Sequence, residues 1–319
     1  VAQVLDTDKL IDSIKRRASI PSNQSTYTED DFLAFINEEM SLSIVPSILR
    51  LYEGHFLFQE TTDLVDEKSD YRIPTRAIGN KLNELQYVDN NNNRFEMTRI
   101  TTGDIPDYQG AYTQNHAYAY YVEYNKIKLL PPIQGSASGS LLFYYYIRPN
   151  EMVEESRVAK VVAGGINRTT GEITVDKIPD HFSTDITYDM YMAGSPHAHM
   201  VIEKTATSVN SVTKTLTFAL DDIPDDLEDG DHIAMKCECI IPQIPSDLHV
   251  LLAQYVAERI LEAQGDTQGL QNAKAKTREM ENKAGTIIDN RVDEAPLKIV
   301  NRHGTLRSGL SSKRYKRRN

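Results

Sequence analysis

The hydrophobic period of this chain changes twice, and that double switch limits the possible folds more than any single motif. Over the first fifty residues the apolar positions recur at helical spacing: Leu10, Ile11 and Ile14 ahead of Pro21, then Phe32, Phe35, Ile36 and Met40 on one face. Thr28 precedes the acidic Glu29, Asp30 and Asp31, which predicts a capped helix start. Pro46 lies inside the next apolar run, Ile44, Val45, Ile48, Leu49 and Leu51, so a break or kink is expected near Val45 with a further short helix to about Tyr52. The segment reads as a helical hairpin, not one rod.

From Gly54 to about Ile241 the pattern becomes β, with aromatic and β-branched runs punctuated by Gly, Pro, Asn and Asp. Strands are expected at 55–61, 82–88, 94–100, 117–123, 126–130 and 141–147, then at 158–162, 172–175, 186–192, 199–205, 213–218 and 233–239. Asp89 to Asn93 and the step Tyr124-Asn125-Lys126 read as hairpin connections, because asparagine tolerates a positive φ. Gly164-Gly165 and the stretch from Gly135 to Gly139 read as turns. Beyond Pro242 and Pro245 helical spacing returns. Ser246 is a candidate cap, and Leu248, Leu251, Leu252, Tyr255, Val256, Ile260 and Leu261 form a stripe ending at Gly265-Asp266. A second helix follows from about Gln268 towards Ile288, with Ala273, Met280, Ala284 and Ile287 inward.

The expected fold class is therefore α+β: a helical bundle from the N- and C-terminal segments, a large antiparallel β-sandwich or barrel insertion, and an extended basic C-terminal tail. The expected divisions are 1–53 for the first helices, 54–241 for the β-rich insertion, split near 149–157 into two subdomains, 242–290 for the closing helices and 291–319 for the tail.

Charge supports that last boundary. All 46 acidic residues precede Ala295, whereas 296–319 carries Lys298, Arg302, Arg307, Lys313, Arg314, Lys316, Arg317 and Arg318. This leaves 27 of the 35 cations to set against every acid, so the body carries a net −19. An acidic body with a wholly basic tail suits two different neighbours. The tail lacks apolar periodicity and is expected to be disordered alone; it suits either DNA phosphates or an acidic groove on a partner protein.

The usual catalytic signatures are missing. The sequence contains no GxxxxGK[ST] phosphate loop, no GxSxG elbow and no HExxH helix. His197 and His199, with His181 and Asp189 near in sequence, are the nearest approach to a metal-ligand set, although His197 follows Gly194-Ser195-Pro196 and is expected in an exposed turn. Cys237 and Cys239 share one strand face in this reading and supply half a metal site at best; they are read as ordinary reduced thiols, and no metal or cofactor is expected. Asp221, Asp222, Asp225, Asp226, Glu228, Asp229 and Asp231 form an acidic run whose spacing departs from an EF-hand, so a solvated loop is expected. Tyr118, Tyr120, Tyr121, Tyr124 and the run Phe143-Tyr144-Tyr145-Tyr146 read as strand faces, one buried and one meeting a neighbouring subunit. No stretch is read as long enough to cross a membrane, and Val1 to Leu10 mix Asp6, Asp8 and Lys9 with apolar residues, unlike a signal peptide.

Several strings carry a resemblance: Ile44-Val45-Pro46-Ser47-Ile48-Leu49, Ile73-Pro74-Thr75-Arg76-Ala77-Ile78-Gly79-Asn80-Lys81-Leu82, and Tyr145-Tyr146-Ile147-Arg148-Pro149-Asn150. To these the C-terminal half adds Pro242-Gln243-Ile244-Pro245, Leu248-His249, Gly265-Asp266, Ile288-Asp289-Asn290-Arg291 and the run from Val300 to Arg307. Together they resemble the head-completion adaptors of the head-to-tail connector in podophages and crAss-like phages. The resemblance covers nearly the whole chain and is weakest from Val158 to Asp231. It implies a non-enzymatic virion protein, made in the host bacterial cytoplasm, that forms a ring, dodecameric by analogy, between the portal protein and further neck or tail proteins. DNA would pass through that ring without sequence-specific binding, and no membrane is involved.

Two expectations join this resemblance to the residues. The tail docks on the portal, with Leu297, Ile299, Val300, Leu306 and Leu310 as apolar anchors and Arg302, Arg307 and Arg314 fixing register. The acidic run is a channel or lower-face loop, an outer-surface position being equally compatible with its sequence. The rival readings are a β-rich carbohydrate- or receptor-binding virion module and a metal-dependent hydrolase built on His181, His197 and His199.

Overall fold

The computed structural model describes residues 4–21, 26–105, 119–131 and 138–288. It is a mixed α+β fold with several sheets and few helices. The first helix, α1 (Thr7–Arg17), is capped by Asp6, whose side chain accepts from the Lys9 N–H at 3.0 Å, and buries Leu10, Ile11 and Ile14. The second, α2 (Glu29–Glu39), begins with the capping box expected of Thr28: its Oγ1 accepts from Asp31 N, and the Asp31 carboxylate accepts from Thr28 N.

At Pro46 the interruption expected near Val45 takes the form of a widened turn rather than a break. The chain widens into one π-helical turn (Met40–Ile44) and continues as α3 (Val45–Leu51), with Pro46 in its first turn. Proline lacks an N–H and its ring collides with the carbonyl four residues back, and a wider turn before it relieves both problems. The resulting run, Glu29–Leu51, is long and apolar enough by length and composition to cross a membrane, which corrects the reading that no stretch approaches that length. Phe32, Ile36, Met40, Ile44 and Ile48 on it are buried in the protein's own core.

That core is closed by the other end of the chain. Helix α4 (His249–Gln264) is apolar nearly all round and packs against α1, α2 and the long α5 (Thr267–Ile288). Gly265 ends α4 in the left-handed region (φ 73°), and Asp266 N donates to Leu261 O. Ser246 is not the cap. It opens a short 3-10 turn, Ser246–Leu248, ahead of α4, and its hydroxyl is engaged elsewhere. Arg259 of α4 pairs with Glu38 and Glu39 at 2.6 and 2.9 Å, tying α4 to the end of α2.

Between these helices lie two β units. The first comprises β1 (Leu57–Asp63), β2 (Asp70–Arg72), β3 (Ala77–Val88), β4 (Arg94–Glu96), β5 (Thr98–Arg99), β6 (Ala119–Glu123), β7 (Lys126–Leu130) and β8 (Ser140–Ile147). They form two four-stranded sheets, β1-β8-β3-β4 and β2-β7-β6-β5, which share a core of Tyr71, Leu85, Tyr120, Ile127, Phe143 and Tyr145, among others. The alternation of β8 explains the aromatic run: Phe143 and Tyr145 point inward while Tyr144 and Tyr146 are half-buried. In the β6–β7 hairpin the positive φ belongs to Tyr124 (56°), not to Asn125, and leaves its ring almost fully exposed.

The chain then crosses by β9 (Glu151–Met152) into the second unit: β10 (Ala159–Asn167), β11 (Glu172–Val175), β12 (Thr187–Tyr191), β13 (His199–Thr205), β14 (Ser208–Asn210), β15 (Thr215–Thr217) and β16 (His232–Met235). These make one antiparallel sheet of order β13-β12-β16-β10-β11-β15-β14 around Val161, Ile173, Tyr188, Met190, Leu216 and Ile233. Gly164 and Gly165 lie within β10 rather than in a turn. They form its bulge: Gly164 adopts φ 68°, and a Cβ on Gly165 would stand 2.7 Å from the Thr174 carbonyl oxygen. A last strand, β17 (Glu238–Cys239), pairs in parallel with β9.

Candidate binding cleft between two strand edges

Arg76 precedes β3 and is 6% exposed; Asp189 on β12 is fully buried. Arg76 Nη1 meets Asp189 Oδ2 at 2.6 Å, and Arg76 Nη2 donates to Asn150 Oδ1. Asn150 Nδ2 donates to Asp189 Oδ2 (3.1 Å) and to the Glu238 carbonyl (3.0 Å), while Asn150 N donates to Gln243 Oε1 (2.6 Å). Asp189 also accepts from Cys237 N and from Glu203 N, each at 3.0 Å. This cluster joins the first β unit, the crossing at Asn150, the second β unit and the segment leading to α4. A buried ion pair adds little net stability against an apolar substitute, but losing one partner is expensive, so such a cluster fixes orientation.

The cluster also answers the metal question raised by the histidines. The Arg76 guanidinium stands beside Asp189 and His199, where a cation would sit, and with burial it pushes His199 down to about 3. His197 is fully buried rather than in an exposed turn. Its Nε2 lies 3.2 Å from Ser246 Oγ and its ring is 5.2 Å from that of His249. The backbone explains the misreading: His197 takes φ 59°, which turns its ring inward behind the exposed Gly194-Ser195-Pro196. His181 is elsewhere, 3.9 Å from Glu238. Among the described residues no three His, Cys, Asp or Glu side chains gather as a metal site. Nor do the cysteines share a face: Cys237 is exposed at φ 66°, whereas Cys239 is buried with its thiol pushed upward by burial.

Beside the cluster opens a cleft of about 520 Å³, lined by residues 58–61 of β1, 74–76, and 200–204 of β13. Both β1 and β13 are terminal strands of their sheets, so each has an edge unpaired within its sheet. Phe58, Met200 and Ile202 are half-buried in the lining. Glu60 accepts from the buried Tyr145 hydroxyl at 2.8 Å, and this carboxylate together with burial raises the phenol. Glu203 is exposed and adopts φ 54° where the β12–β13 register shifts, a conformation costing a non-glycine residue of order 1–3 kcal/mol. The hydrogen bond from its N–H to Asp189 holds it there. The two cations of the lining are committed: Arg76 to Asp189, and Lys204 to Asp222 at 2.6 Å.

Through Asp222 the cleft joins the acidic run. Arg168 organises that loop by donating to the carbonyls of Pro224, Asp225 and Leu227 at 2.7 to 3.1 Å. The run is not uniformly solvated. Asp231 is buried and accepts from Ala193 N and Glu228 N, and Asp229 accepts from Gly164 N. Asp221, Asp225, Asp226 and Glu228 remain exposed. Glu60 and Glu203 were missed by sequence reasoning, because only sheet order reveals which strands are edges. Arg76 had no sequence signal beyond its place in a resemblance string. The tail residues Leu297, Ile299, Val300, Arg302, Leu306, Arg307, Leu310 and Arg314 lie outside the described residues. No family model matches the chain, and no curated protein matches it.

Proposed function

We propose that this chain is a non-enzymatic adaptor of a tailed-phage virion, one subunit of a ring that joins the portal protein to the neck and continues the DNA channel. The observation that carries this reading is where the resemblance strings meet. Arg76, Asn150 and Gln243 come from three strings far apart in sequence, and all three belong to the one buried cluster that locks the β units to the helical frame. What the strings share is a way of fixing shape. That is the property a ring subunit requires, and the helical bundle with its β-sandwich insertion supplies the rigid frame in this reading.

Charge gives the frame its two neighbours. The −19 body repels DNA phosphates, so a channel walled by it does not grip its cargo, and the basic segment 296–319 orders on the portal through charge-assisted pairs that offset its conformational cost. Ring assembly then waits for a portal surface. The test is the mass of the full-length chain, alone and mixed with the portal protein of the same virion, by native mass spectrometry. Monomer alone and a ring with the portal is the expected result; no portal complex under any salt condition overturns the reading.

A further inference from the structure

We propose that the cleft between β1 and β13 is a seat for the basic C-terminal segment of this chain, 296–319, folded back on its own body as an added strand. Three observations converge. The cleft is flanked by two sheet edges, and an extended segment laid along a free edge gains a ladder of main-chain hydrogen bonds while alternate side chains enter the groove. Its charge is negative where it is uncommitted: Glu60 and Glu203 face it, Arg76 and Lys204 are already paired, and the acidic loop continues the field through Asp222. The segment 296–319 holds eight cations and no acid, and its apolar Leu297, Ile299 and Val300 suit a lining that includes Phe58, Met200 and Ile202.

Glu203 gives the cleft its specificity. It lines the cleft from a left-handed backbone, and the hydrogen bond from its N–H to Asp189 holds that backbone before any ligand arrives. This seat is independent of the portal reading: the body holds the tail, and any acidic partner must compete for it.

The test is amide hydrogen exchange on the full-length chain, comparing wild type with the Glu60→Gln/Glu203→Gln double variant and with a chain ending at residue 295. Amides of 57–63 and 199–205 should exchange at least about tenfold faster in both altered chains, while those of β8 and β12 stay unchanged as the check on folding. A synthetic peptide of residues 296–319 added to the shortened chain should restore protection, and 0.5 M salt, about the range where charge attraction is screened, should remove it. Equal exchange at both edges in all three chains, or a peptide that protects neither edge, overturns the proposal. Mass measurements with the portal report separately on the adaptor reading, so either can fail alone.

Discussion

Arg76 and Asp189 carry the sharpest consequence at the scale of single residues. Arg76→Met leaves a fully buried carboxylate with N–H donors from Asn150, Glu203 and Cys237 but no cation, and should cost about 3–5 kcal/mol, read as a lower denaturant midpoint. Adding Asp189→Asn to that variant should recover much of the loss. A single-variant loss under about 1 kcal/mol would mean the charges are not buried as described. Three histidines set a pH dependence. Burial holds His232 and His249 down to about 4 and His199 to about 3, with the Lys160 cation adding to the effect at His232, the Arg76 cation at His199 and the neighbouring His197 ring at His249. All three are neutral in the native state, while in the unfolded chain they titrate near about 6.5. The stability this protects is complete above that pH and drains as pH falls towards 4. Each histidine should remove about 2 kcal/mol between pH 7 and 5, and His249→Gln should flatten the slope by one such share. Denaturation midpoints that do not move over that interval would show the rings to be accessible. Of these residues the sequence drew attention to Asp189 and His199, but as metal ligands. That Arg76 stands where the ion would be is a fact of tertiary packing, the partners being 113 positions apart in sequence.

At the scale of elements, what could be read was whatever local chemistry decides. Thr28 with Asp31 forms its capping box, Gly265 ends α4, and β11 and β13 run over the residues their alternation indicated. The short pieces β2 and β9 were illegible because pairing alone makes them strands, with three and two residues and no periodicity to detect, whereas β17 lies inside the expected strand 233–239 and is cut from it at the left-handed Cys237. Pro46 marked the place of the interruption but not its form, because its penalty has two outlets, a broken helix or a widened turn, and the apolar run through Ile44 and Ile48 stays buried in the helical core. Two substitutions test this local bookkeeping. Thr28→Ala should lower stability by about 1 kcal/mol through the lost cap. Gly165→Ala should cost more, about 1–3 kcal/mol, since its Cβ meets backbone that cannot rotate away. Differential scanning calorimetry of the two variants should rank them in that order.

For the whole molecule, among the described residues every buried member of the four clusters lies between Leu5 and Ala284, so a chain ending at residue 295 keeps all of that core. It should still melt cooperatively, at a midpoint lowered only by the loss of the segment from its cleft, and yet form no complex with the portal, a pairing of results that calorimetry and native mass spectrometry can check together. Undiminished portal binding by the shortened chain would remove the tail from the docking mechanism. The parallel pair β9–β17 has a different kind of consequence. The second β unit leaves the helical frame just after Met152 and returns at Glu238, and these two strands lie side by side. Seen from the helices, a lobe of some eighty residues enters and leaves through two neighbouring strands, about 5 Å apart, and is pinned there by Asp189 on Arg76 and by Tyr191 in the helical core. The loops on its far side, away from those two residues, can be lengthened, shortened or exchanged without disturbing the pinned base. A scaffold of this kind can keep one partner fixed while its lobe is refitted for another, and the stretch from Val158 to Asp231, where the resemblance is faintest, is that lobe.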